Sequence, residues 1–170
     1  TVKAGQSGDI PAGIDVWSVS DQGDKTDFEV GHGLAEVEHG KLYHVDALRN
    51  SFDPHIWDED DLCLPIGATH LHIKGYHQAN LPFDDFAGET DVTGGKWVLL
   101  RTMPLNPAQP ARAHFVRLID VVEERDPVFG EDITRLTWEP AQALPFELDL
   151  TVLTIRGNII PVTAGKTCTA

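Results

Sequence analysis

A chain of 170 residues, 41% of them hydrophobic, is long enough for one domain with a real core and too apolar for disorder. Its formal charge of −14, with no cluster of Lys and Arg anywhere, excludes a phosphate-backbone partner and so argues against nucleic acid and an anionic membrane surface. No apolar run approaches the roughly 20 residues of a membrane helix.

Two cysteines, Cys63 and Cys168, make neither a disulfide framework nor a zinc site, and a cytoplasmic, reducing origin fits them best. The chain starts at Thr1 without Met and shows no signal peptide, so it reads as an excised piece of a longer protein or a processed product.

Gly and Pro, 15 and 11 of them, punctuate the whole sequence. Between them the pattern predicts strands over 14–20, 27–30, 42–45, 70–73, 96–101, 114–122, 133–138, 149–155 and 158–162. The clearest hairpin joins His114–Val122 to Ile133–Trp138 through a loop carrying Asp126-Pro127 and Gly130. In its first strand Phe115, Ile119 and Val121 alternate with Val116, Leu118 and Val122, which predicts a central strand buried on both faces. In the second, Thr134, Leu136 and Trp138 share one face. Residues 80–95 and 105–112 read as loops, and 141–144 as one helical turn. No window of a dozen residues carries helical periodicity, so helix should stay under about one-fifth. The prediction is an all-β fold, a sandwich or partly open barrel of short, mostly antiparallel strands. Residues 1–170 form a single β-rich domain in this reading, with 1–56 and 57–170 as alternative sub-lobes.

His70 and His72 are the leading metal candidates, because residues i and i+2 of a strand point to one face. His77 and His114 are the candidates to complete a three-histidine set. A cupin site also opens with His-x-His, but no Glu follows at short spacing and no later Gly-rich, Pro-containing segment brings a last His. Histidines that are solvated or hydrogen-bonded are the reading preferred, and no metal or cofactor is assigned. Asp58-Glu59-Asp60-Asp61 lacks the alternating ligands of a calcium loop and reads as a solvated acidic turn, as do Asp84-Asp85 and Glu89. Cys63, between two leucines, reads as a small buried hydrophobe rather than a nucleophile. Gly165-Lys166-Thr167 lacks the earlier glycine of a phosphate loop, and no catalytic motif is present, so no catalytic residue is assigned. Trp17, Trp57, Trp97 and Trp138 lie in or beside strands and read as core residues with hydrogen-bonded indoles.

Four stretches, in order, resemble the baseplate assembly proteins (baseplate-J-like wedge subunits) of phage-tail-like contractile injection systems. Ile10-Pro11-Ala12-Gly13-Ile14-Asp15-Val16 with Phe28-Glu29-Val30 is similar to the family's I-P-A-G-T-x-V and F-E-T hairpin, with Ile14 in place of Thr. Trp57 to Thr69 is similar to W-G-D-x-x-C-C-L-P-x-G-A-T, departing at Asp58, Leu62 and Ile66. Arg117-Leu118, Asp126 to Gly130 and Ile133 to Phe146 resemble R-L-T-x-V, D-P-L-T-G and I-T-x-I-x-W-x-x-x-D-A-L-P-F. Arg156-Gly157-Asn158-Ile159-Ile160 through Gly165-Lys166-Thr167 resembles A-R-G-N-V-V-x-A-D-H-G-x-T, with Thr163-Ala164 in place of Asp-His. The resemblance implies a non-enzymatic structural component, assembled in the cytoplasm and built into a tail or tail-like particle. Its partners would be other baseplate subunits, met through open sheet edges and the 80–95 and 105–112 loops. Two alternatives remain: a small-ligand or carbohydrate-binding β-sandwich, for which an exposed Trp or Tyr in a groove would speak, and a cupin-like metal enzyme using His70 and His72.

Overall fold

The computed structural model describes residues 1–58, 60, 62–81, 96–106 and 108–165. Over these the protein is all-β with antiparallel sheets. Among the described residues, helix is confined to one five-residue α-helix and three single 3-10 turns. The chain divides into two compact units: Thr1–Ala47 together with the stretch from Asn158 onward, and Leu48–Gly157.

In the first unit β1 (Ser7–Pro11) pairs with β4 (Leu42–Asp46). A three-stranded sheet sets β3 (Lys25–Val30) between β2 (Asp15–Val19) and β12 (Val162–Ala164). β1 escapes the sequence pattern because Ser-Gly-Asp-Ile-Pro holds one apolar side chain and ends in a residue without an N–H. α1 (Leu34–Glu38) carries Glu36, whose carboxylate accepts from Lys41 Nζ (2.7 Å), from the Tyr43 hydroxyl and from the His32 N–H (2.8 Å). Gly31 makes room for this cluster: at φ +109° it suits glycine, and a Cβ there would meet Glu36 Oε2 at 2.7 Å.

In the second unit five strands lie in the order β11 (Leu153–Arg156), β7 (Lys96–Thr102), β8 (Ala113–Arg125), β9 (Asp132–Trp138), β6 (His70–Lys74). The core lies on one face of this sheet and includes Leu71, Ile73, Val98, Leu100, Val116, Leu118, Leu136, Trp138 and Ile155. Two further short strands, β5 (Cys63–Leu64) and β10 (Leu148–Asp149), pair beside it. Both edges of the sheet meet the same short stretch. Phe52 exchanges two backbone hydrogen bonds with Ile155 of β11 (2.8 and 3.1 Å), while the His55 N–H donates to His72 of β6 (2.7 Å) and the Lys74 N–H to Asp53 (3.0 Å). The sheet thus curls toward closure without a continuous barrel ladder. The open edges expected for partner strands are, in this sheet, partly occupied at Phe52 and Pro54.

β8 is central, as its sequence suggests, but it is not buried on both faces. The register slips between Leu118 and Asp120, leaving Ile119 as an extra residue. Before the bulge even-numbered Val116 and Leu118 face the core; after it odd-numbered Val121 does. The apolar residues that read as two faces are one face with its parity reversed, and Phe115 and Ile119 are about half exposed. In β9, Thr134, Leu136 and Trp138 do share the buried face.

Three other expectations move, two strands and one helical turn. The 149–155 strand is interrupted because Asp149 accepts from the Thr151 N–H (2.9 Å) and hydroxyl (2.6 Å), capping a 3-10 turn at Leu150–Val152. The 158–162 strand shifts to Val162–Ala164, since Pro161 has no N–H and Asn158 spends its side chain on the Asp46 backbone (3.1 and 2.7 Å). The helical turn appears one residue early, at Pro140–Gln142.

Candidate functional site

The most concentrated chemistry lies on the outer face of β6, β9 and β8. Strand alternation turns His70 and His72 outward while Leu71 and Ile73 enter the core. In register, His72 stands beside Arg135 and His70 beside Thr137. The two imidazoles are neighbours, ring centroids 6.1 Å apart. Arg135 reaches Glu124 (3.4 Å) and Asp120 (3.7 Å), and Glu124 lies 3.5 Å from His72 Nε2.

Trp57 covers this group from the preceding loop. Its indole meets His72 and His55 edge-on, with centroids 4.9 and 4.8 Å away, and its N–H donates to His72 Nδ1 at 3.3 Å. With Nδ1 accepting, the proton of the neutral ring sits on Nε2, facing Glu124. Burial pushes the His72 pKa down, Glu124 pulls it up and His70 lowers it again; the net shift is downward.

Beneath Trp57, His55 Nε2 lies 2.9 Å from Asp126 Oδ2, and both side chains are buried. The other Asp126 oxygen accepts from the Val128 and Phe129 N–H groups (2.7 and 3.0 Å). Burial alone would raise the Asp126 pKa; the two backbone donors and His55 outweigh it, and the carboxyl titrates below its usual range. This bonding fixes the β8–β9 turn with Val128 and Phe129 exposed at 77% and 65%.

The structure brings His70 and His72 together but leaves His77 and His114 elsewhere. His77 contacts the Lys74 carbonyl (2.9 Å) and Asn80 (3.2 Å); His114 contacts the Gln142 carbonyl (3.0 Å). Among the described residues no group of three or more His, Cys, Asp or Glu is placed to hold a metal ion. Asp58 accepts from the Asp60 N–H at 3.0 Å, a local acidic turn. Glu59, Asp61, Asp84, Asp85, Glu89, Lys166, Thr167 and Cys168, with the 82–95 part of the first loop, lie outside the described residues.

Two readings of single residues are corrected. Cys63 is exposed, because it occupies the outward position of a two-residue strand while Leu64 packs against the core. Of the tryptophans, only Trp138 is a core residue, and its indole N–H finds no hydrogen-bond partner among the described residues. Trp57 is 43% exposed; Trp17 is 63% exposed on the outer side of β2, with Lys25 Nζ 5.2 Å over its ring. The sequence reading missed His55, Asp126, Glu124 and Arg135 as members of one cluster. Asp126-Pro127 signalled a turn, but nothing local marks a carboxylate that turns inward to a histidine 71 residues away.

A second feature is a cleft of about 270 Å³ beside β5 and β10, lined by Cys63, Pro104, Pro110, Arg112, Glu147 and Asp149 among others. It adjoins the 105–112 loop, whose ends are tied by the Thr102 N–H to Arg112 (2.9 Å) and by the Arg112 N–H to the Thr102 hydroxyl (2.9 Å). No family model, curated protein or solved structure matches this chain.

Proposed function

We propose that this chain is a structural building block of the baseplate of a contractile phage tail or tail-like injection machine, joined to other baseplate subunits by protein–protein contacts. The reading rests on the four ordered stretches that resemble baseplate-J-like wedge subunits. One structural observation supports it most. The stretch Asp126 to Gly130, part of that resemblance, forms a turn that holds Val128 and Phe129 in water on a rigid base. Exposed apolar side chains whose backbone is already ordered lose little entropy when a partner covers them, which suits an assembly contact. Assembly would take place in the cytoplasm, before the finished particle forms.

The test is incorporation. Contractile particles purified from the source cells should contain this chain, and the double variant Val128→Ser, Phe129→Ser should fold but enter particles poorly. Particles that lack the chain would end the proposal.

A second reading, a carbohydrate-binding face, draws on exposed Trp57 beside Glu124 and Arg135, since sugars stack on an aromatic ring and bond to flanking polar groups. Titration with an oligosaccharide panel, followed by tryptophan emission in the parent protein and Trp57→Phe, distinguishes it. No Trp57-dependent change would remove this reading.

A further inference from the structure

The cleft beside β5 and β10 has a composition that selects one kind of ligand. Glu147 and Asp149 flank buried Leu148, so the alternation of the extended backbone turns both carboxylates to the same side, with their Cα atoms roughly 6–7 Å apart. Cys63 lies across from Asp149 in the β5–β10 register. Pro104, Pro110 and Val152 supply rigid apolar wall. The cation in the described lining, Arg112, has its guanidinium carbon 4.8 Å over the ring of Phe146, so part of its charge is met within the protein. Two carboxylates against one engaged arginine leave the lining net negative, within a chain of formal charge −14 that draws cations toward it. At about 270 Å³ the space is smaller than the roughly 300–1,000 Å³ of drug- or cofactor-sized pockets and suits a single long side chain.

We propose that this cleft binds the guanidinium group of an arginine side chain presented by a peptide or partner protein. The alkyl stem lies against Pro104, Pro110 and Val152, and the planar head faces Glu147 and Asp149. Guanidinium is favoured over ammonium because its fork of N–H donors serves the carboxylates together with the amide of Gln109, which also lines the cleft, and because it is less strongly hydrated. The inference is independent of the baseplate reading and holds for any arginine-bearing partner.

The test is a nuclear magnetic resonance titration of the full chain with Nα-acetyl-arginine methylamide, alongside the corresponding lysine and glutamate compounds. The arginine compound should produce saturable shifts at Cys63, Gln109 and Val152. Its affinity should exceed that of the lysine compound by threefold or more and fall at least fivefold in Glu147→Gln. Glu147 is exposed, so this variant should keep the parent's circular dichroism. Asp149→Asn, which retains an acceptor for the Thr151 N–H, should also weaken binding. Absence of saturable shifts, equal binding of the lysine or glutamate compound, or unchanged affinity in a folded Glu147→Gln variant would each overturn the proposal.

Discussion

His55 and Asp126, 71 residues apart in sequence, meet at 2.9 Å with both side chains buried. The pair ties the stretch bonded to the sheet edges to the turn that exposes Val128 and Phe129. Removing either partner leaves a buried polar group with one bond fewer, so His55→Leu and Asp126→Ala should each lower the melting temperature. If the pair acts as a unit, the double variant should cost less than the sum of the two single changes. Thermal melts of the three proteins check this; strict additivity would show that the contact carries no coupling.

The first unit should be sensitive to acid. Burial tends to raise the Glu36 pKa, but hydrogen bonds from Lys41, Tyr43 and the His32 N–H, with the Lys41 charge, bring it from 4.5 down to about 2. A depressed carboxylate stabilises the fold fully above its unfolded value and loses that contribution as pH falls through its folded value. Stability should therefore decline between about pH 4.5 and pH 2. Glu36→Gln should flatten that part of the profile while lowering stability at neutral pH. Unfolding by denaturant at a series of pH values reads both effects.

Trp138 gives a contrast between packing and polarity. Trp138→Ala should cost about 3–5 kcal/mol through the cavity it opens. Trp138→Phe should cost much less, because Phe keeps most of the buried ring volume, and, like Ala, it removes an indole N–H that finds no acceptor among the described residues, a defect worth about 1–3 kcal/mol. Chemical denaturation of both variants reads the difference as cavity volume; a loss in Trp138→Phe nearly as large as in Trp138→Ala would mean that the ring volume Phe keeps does not decide the cost.

The bulge at Ile119 should tolerate substitution, and deletion should close it without turning over the residues that follow. Ile119→Ser alters a half-exposed side chain and should stay within about 0.5 kcal/mol of the parent. Deleting Ile119 removes the unpaired residue, so Leu118, Asp120 and Val121 fall into regular alternation with Val121 still toward the core, and the variant should unfold cooperatively with a lowered melting temperature from the lost local twist. A deletion variant that no longer unfolds cooperatively would show that β8 needs the bulge itself and not only the alternation around it.

Much of the fold was legible in the sequence, for a physical reason. β6 and β7 alternate cleanly about one buried face, as β9 does from Thr134 on, so period and propensity agree. The errors fall where a side chain replaces backbone pairing, as with Asp149 and Asn158, or where one added residue reverses parity, as at Ile119. The candidate site was half legible. His70 and His72 share a face because two-residue spacing on a strand dictates it. Trp57, His55 and Asp126 join them only through tertiary closure, which leaves no local periodic trace.

The stretch from Phe52 to His55 also has a consequence for the order of folding. It bonds to β6, which follows it closely in the chain, and to β11, which comes almost at the end of the unit. Loop-closure entropy makes the distant contact slow, so the near contact should form first and the far one should complete the unit. During synthesis, β7 would wait for β11 to emerge from the ribosome with its outer backbone groups unpaired. That interval is when the nascent protein is most open to mispairing with a neighbour.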